Sequence, residues 1–206
     1  MAPPPSIERF LSLSCTNVGV GPGGTTNLLA RIAIVDYRGT TVFDKYVQPT
    51  TTVTDYRTAT TGITAAHLSS GKSLSMAHVY HPDAWTFSTI QNYVSNFFRG
   101  KILVGHSLWN DLAVLGLPHA AVDTRDVALY QPFRNALRSP HQIIGLQTLA
   151  WQLMSRRCQE GQLHPIENAR AALDLYRSDA EAWEASISNG NWPCALPPST
   201  FSRCYL

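Results

Sequence analysis

At 206 residues, with 44% of them hydrophobic and a net charge of +2, the chain is the size of one ordinary domain with enough volume for a real core. That balance excludes a polyelectrolyte tail and gives no strong basic footprint for nucleic acid. Of the 16 basic residues only Lys45, Lys72 and Lys101 are lysines, and the arginines are scattered. Cys15, Cys158, Cys194 and Cys204 show neither Cys-x-x-Cys spacing nor the density of a disulfide scaffold, so reduced thiols are the default and nothing supports a Cys194–Cys204 bridge. No apolar run reaches the length of a membrane span, and Met-Ala-Pro-Pro-Pro lacks the features of a signal peptide. An intracellular location, cytoplasmic or nuclear and without a membrane partner, is the expectation.

Taken in chain order, residues 1–9 read as an N-terminal extension, 10–188 as the domain and 189–206 as an irregular tail. Phe10 to Cys15 predicts a strand, followed by a turn through Gly19, Gly21, Gly23 and Gly24 that matches neither a P-loop nor a dinucleotide fingerprint. Leu28–Val35 and Thr41–Val47 are β-branched runs separated by Asp36-Tyr37-Arg38-Gly39, which is hairpin chemistry. Phe87, Ile90, Val94, Phe97 and Phe98 recur at helical spacing up to Gly100, and Ile102-Leu103-Val104 reads as a buried strand. Leu146–Cys158 and Ile166–Ile187 predict two more helices. Hairpins followed by alternating helices and strands imply an α/β domain with a mixed central sheet flanked by helices.

Several stretches resemble the DEDDh exonucleases of the ribonuclease H-like fold, and most closely the RNA exonuclease 4 family. They are Val18 to Gly24, Asp44-Lys45-Tyr46-Val47, Val53 to Thr58, Gly62-Ile63, Ile102 to Leu112, Thr124-Arg125-Asp126, Pro132-Phe133-Arg134 and Glu167 to Tyr176, in that order. The resemblance implies a ribonuclease H-like exonuclease fold. It also implies four carboxylates holding two divalent ions, with a histidine as general base.

Carried over position by position, the family's Asp-Cys-Glu falls on Ser14-Cys15-Thr16, its Asn-Asp-Leu on Asn110-Asp111-Leu112, and its Glu-Asp-Ala-Arg on Glu167-Asn168-Ala169-Arg170. The base falls on Leu163, with His164 next to it. Asp111 is thus the carboxylate that remains, and neutral oxygens bind Mg²⁺ too weakly to hold an ion pair. A bound metal or cofactor is therefore not expected. Asp111 and His164 are the candidate acid–base groups; Ser14, Thr16, Leu163 and Asn168 are the altered pocket positions; Asn17, Val18, His106 and Trp109 are candidate lining. His106 has a second reading as a hydrogen-bonded framework residue, and Asp111 one as a structural carboxylate.

Residues 65–85 run about a dozen residues longer than the resemblance leads one to expect here. They carry His67, His78, Tyr80, His81, Asp83 and Trp85, which read either as an exposed loop or as a lid over the pocket. Function follows in three versions. The first is a pseudoenzyme that binds a single-stranded RNA or DNA 3′ end in the old cleft. The second is a repurposed, metal-independent isomerase, cyclase or lyase whose partner is a small organic molecule. The third is a residual weak 3′–5′ exonuclease. A purely structural role also remains open, as does the oligomeric state.

Overall fold

The longest strand, β1 (Phe10–Val20), runs through the centre of the molecule because both of its faces are covered. Leu11 and Leu13 point into one apolar layer, while Phe10 and Ser12 point into the other. The computed structural model describes residues 5–69 and 84–205. Strand β1 pairs antiparallel with β2 (Thr26–Asp36), which pairs antiparallel with β3 (Thr41–Tyr46). On its other side β1 pairs parallel with β5 (Ile102–Gly105), and β5 pairs parallel with β6 (Thr124–Asp126). The short β4 (Val53–Asp55) pairs with the far end of β1. The order β3-β2-β1-β5-β6 is the mixed sheet that the sequence predicts.

Strand β1 continues five residues past Cys15, carrying Gly19 into the sheet rather than into the turn. A side chain could not replace that hydrogen: a Cβ on Gly19 would lie 2.5 Å from the carbonyl oxygen of Gly24. The turn itself is tied by its carbonyls, with Thr54 Oγ1 donating to Gly21 and Arg57 Nη2 donating to Gly24. This matches the turn reading of the glycines and leaves those carbonyls committed to β4 and the residues after it. Two single-turn helices follow, α1 (Thr58–Thr61) and α2 (Ala65–Leu68).

One face of the sheet is covered by α3 (Phe87–Phe97) and α4 (Leu108–Leu115), whose Ile90, Val94, Leu108, Leu112 and Leu115 pack on Leu13, Ile32 and Leu103. Helix α4 is not anticipated above, although Leu108, Leu112 and Leu115 have helical spacing. The other face is covered by α6 (Leu146–Met154), α7 (Pro165–Ser178) and α8 (Ala180–Ser188), with α5 (Gln131–Ala136) at the edge. Two helix boundaries differ from the sequence reading. Ser155 adopts a left-handed φ of 54° and ends α6 four residues before Cys158. The predicted Ile166–Ile187 helix breaks at Asp179, whose carboxylate accepts a hydrogen bond from the Tyr130 hydroxyl and whose backbone leaves helical geometry.

The buried Ser12 hydroxyl donates to the Ala169 carbonyl at 2.8 Å and fixes α7 against β1. Ser12→Ala removes one buried hydrogen bond and leaves a carbonyl without it, so urea unfolding is expected to show a loss of about 1 kcal/mol. An unchanged midpoint would show that the bond contributes nothing.

The tail is mostly irregular but is tied down. Ala195 N–H donates to the Leu129 carbonyl and His119 N–H to the Cys204 carbonyl, with a 3-10 helix at Ser199–Cys204 between. The four cysteines are free thiols. The extended loop falls mainly outside the described residues, including His78, Tyr80, His81 and Asp83. Of its described members, His67 accepts the Thr64 N–H and stacks on Tyr46, while Trp85 packs beside Phe43.

Candidate functional site

Strand alternation puts Ser14 and Thr16 on the same face of β1 as Ser12. The Ser12–Ala169 bond fixes α7 over that face, and Asn168 precedes Ala169. The result is a cleft of about 260 Å³ in which Ser14, His106, Leu146, Gln159 and Asn168 form the walls. Thr16 continues the face two residues on, buried and paired in register with Arg31 of β2. Ser14, Asn168 and His106 therefore line the same cleft.

Asp111 reaches the same strand from α4. Its Oδ1 accepts the backbone N–H of Cys15 at 3.0 Å, which places the carboxyl against β1 between Ser14 and Thr16. Burial pushes its pKa up to about 8, opposed by the Cys15 N–H bond and reinforced by the nearby Asp126 carboxylate. The Cys15 thiol is raised as well, first by burial and then by Asp111.

Asp126 orients the segment leading into α4. Its Oδ1 accepts the N–H groups of Ser107 and Ala128, and its Oδ2 accepts the Leu108 N–H and the Tyr205 hydroxyl. Burial raises its pKa despite these donors. The adjacent His106 donates its Nε2–H to the Ile144 carbonyl, 2.7 Å away. His106 thus faces the cleft as a residue already tied to the framework.

His164 and Leu163 lie at the start of α7. His164 is the N-cap residue, and its carbonyl accepts the Asn168 N–H. Burial, and then the Arg31 charge, lower its imidazole pKa. The Leu163 N–H donates to the Thr60 carbonyl at 2.6 Å, fixing this segment to α1. Asp111 and His164, the two candidate acid–base groups, share no hydrogen bond among the described residues and sit against different strands.

Three expected lining residues sit elsewhere. Val18 is fully buried among Ala30, Ile63 and Leu68. Trp109 packs with Ala128 and Leu129 beneath the tail. Asn17 is part-buried, and its Oδ1 is enclosed without a hydrogen-bond partner among the described residues.

Gln159 is the residue that the sequence reading missed. In a left-handed conformation, φ 59°, it donates its backbone N–H to Glu167 and its Nε2 to Asn168 Oδ1 at 2.9 Å. An isolated glutamine between two helices gives no periodic signal, so nothing in the sequence singles it out. Its consequence is specific: Asn168 has its oxygen committed and its NH₂ free. The Ser14 and Thr16 hydroxyls also have no hydrogen-bond partner among the described residues. The cleft therefore offers the uncommitted Ser14 hydroxyl and Asn168 amide, while the Asp111 carboxyl, which favours its protonated form, is buried against β1 and is not among the residues lining the cleft.

Among the described residues no group of three or more His, Cys, Asp or Glu side chains is placed to hold a metal ion. Two divalent cations about 4 Å apart require several anionic ligands, and Ser14, Thr16 and Asn168 supply none. The donor set at these positions does not fit such a pair.

Comparison with known proteins agrees with the fold. No family model matches the chain. The chain is 37% identical to mouse RNA exonuclease 4 over 93% of its own length and 41% of the relative, and 37% identical to the human protein over 93% and 42%. With the Gibberella zeae protein of the same name identity is 37%, covering 89% of this chain and 53% of the relative. The chain thus spans between two-fifths and about half of these relatives.

Among solved structures, the Pan2 pseudoubiquitin hydrolase–RNA exonuclease module of Saccharomyces cerevisiae superposes with a TM-score of 0.70 at 25% identity, covering 90% of this chain and 30% of that one. The Neurospora crassa Pan2 catalytic unit gives 0.69 at 21% identity, covering 90% and 28%. Among the described residues no helix is long and apolar enough to cross a membrane. This chain is a homologue of proteins named RNA exonuclease 4 over about nine-tenths of its own length, and it has the ribonuclease H-like fold of the Pan2 exonuclease domains.

Proposed function

We propose that this protein holds the 3′ end of a single-stranded RNA in the Ser14–Asn168 cleft without two-metal cleavage. The observation that carries the reading is the donor set. Ser14, Thr16 and Asn168 are neutral, and Asp111 has a pKa pushed up to about 8. The position that resemblance assigns to the general base is Leu163, whose side chain cannot take a proton. Uncommitted hydroxyl and amide donors suit phosphate and ribose oxygens, so binding needs no bridging cation. RNA rather than DNA is preferred because the relatives are named as RNA exonucleases and several solved structures of the yeast Pan2 module contain RNA.

Fluorescence anisotropy with a labelled single-stranded RNA tests this. Binding is expected at low salt, with the same affinity in Mg²⁺ and in chelator, and it weakens as salt rises. Asn168→Ala is expected to reduce affinity by roughly fivefold, corresponding to about 1 kcal/mol. Absence of binding at low salt would remove the proposal.

One observation favours a second reading, a metal-independent enzyme acting on a small organic molecule. A carboxyl with a pKa of about 8 is suited to general acid–base work near neutral pH. Turnover that is unaffected by chelator but abolished in Asp111→Asn would select this reading over RNA binding.

A further inference from the structure

A second cavity, separate from the cleft, lies under the C-terminal tail. It measures about 390 Å³ and is enclosed by Leu129 and Thr124 on the body and by Trp192, Ala195, Leu196 and Pro197 on the tail. Two pins hold the tail over it. At one end Ala195 N–H donates to the Leu129 carbonyl; at the other His119 N–H donates to the Cys204 carbonyl, and the Tyr205 hydroxyl bonds to Asp126 at 3.1 Å. Between these pins, residues 196–203 make no backbone hydrogen bond to the rest of the domain among the described residues. The tail is an arch.

The polar groups inside the arch decide what it can hold. Asp126 already accepts four donors, from Ser107, Leu108, Ala128 and Tyr205. Thr124 Oγ1 is committed to the Ala120 carbonyl, and the Tyr205 hydroxyl to Asp126. The Cys194 thiol is kept neutral by burial and by the Asp126 charge. Among the described residues the uncommitted side-chain groups of this lining are the Ser199 and Ser202 hydroxyls and the Trp192 indole N–H, all on residues exposed at the mouth. A charged guest would lose hydration on entering and gain no partner. An uncharged apolar guest loses nothing, and the volume falls within the range of small-molecule sites. Apolar side chains extend out to the mouth, where Leu196 is 86% and Trp192 42% exposed.

The geometry points to a binding site for an uncharged apolar small molecule beneath the 195–204 arch. This site is independent of the RNA reading of the cleft.

A matched pair of dyes tests the proposal on the full chain: uncharged phenylnaphthylamine, and anilinonaphthalene sulfonate, which has the same aromatic skeleton with a negative charge. The uncharged dye is expected to bind with saturable fluorescence enhancement, and the sulfonated dye at least about tenfold more weakly. Ala195→Trp fills the cavity and is expected to lower affinity for the uncharged dye by about tenfold or more.

Because Ala195 also carries a backbone pin, Leu196→Asp serves as the second variant. It places a charge at the mouth on a side chain 86% exposed, and it is expected to weaken binding severalfold with the thermal midpoint unchanged. Trp151→Ala, at an exposed tryptophan on α6, is expected to have no effect. Equal affinity for both dyes, affinity unchanged in both Ala195→Trp and Leu196→Asp, or loss in Trp151→Ala would each overturn the proposal. So would dye binding that disappears as protein concentration rises, which would identify a second copy of the chain as the occupant.

Discussion

Replacing Asp111 with Asn raises the melting temperature of this protein at pH 8 and has little effect near pH 4. In the folded state the carboxyl is enclosed, Oδ1 accepts the Cys15 N–H, and the Cys15 thiol and the Asp126 carboxylate are the other titratable groups acting on it. Its pKa is about 8, against about 3.9 in an unfolded chain. A carboxyl whose folded pKa is the higher one disfavours folding wherever the unfolded chain has released the proton and the folded chain must keep it.

Stability therefore falls from about pH 4 upward and levels off above about pH 8. The full difference is on the order of 5 kcal/mol, and it is present only at the alkaline end. Asparagine reproduces the protonated carboxyl: its oxygen accepts the Cys15 N–H, and it never ionises. Thermal unfolding of the two proteins between pH 4 and 8 measures the effect. Parallel curves, with no convergence toward acid, would show that Asp111 titrates normally.

The variant S14D/T16E/L163H/N168D, with Asp111 left in place, gains Mg²⁺-stimulated release of nucleotides from single-stranded RNA. The expected gain over the parent is about 1000-fold or more, since base catalysis alone contributes about 10²- to 10⁴-fold. The structure supports each position differently. Ser14 and Asn168 already face one cleft, Thr16 lies on the same face of β1, and Asp111 sits against Cys15 between them. Position 163 is held at the start of α7 by its bond to Thr60. N168D alone is expected to stay inactive, because two carboxylates do not neutralise two divalent ions. A folded quadruple variant without metal-stimulated release would show that these positions cannot be returned to nuclease work by side chains alone.

The central sheet was legible because Leu28–Val35, Thr41–Val47 and Ile102–Val104 are β-branched runs with turn residues between them. At the cleft, Ser14, Asn168 and His106 could be named from the motifs, and all three line one cavity. Long-range polar contacts were not legible. The apolar stripe of the last helix runs straight across Asp179, and only the Tyr130 hydroxyl, 49 residues away, marks the break. Gln159 was invisible for the same reason, since its role depends on Asn168 across a loop. Trp109 looked like a pocket residue from its place in the motif, but the tail packs on it.

The two pins of the tail carry a further consequence. A fragment cut at the end of α8 would look complete by its helices and strands, yet it would present Trp109, Ala128 and Leu129 to water as a continuous apolar patch. It would also remove one of the four donors to Asp126, the carboxylate that sets the start of α4. The edge of the cooperative unit is thus drawn by hydrogen bonds at Leu129 and His119, and the irregular strap belongs to the same folding unit as the sheet.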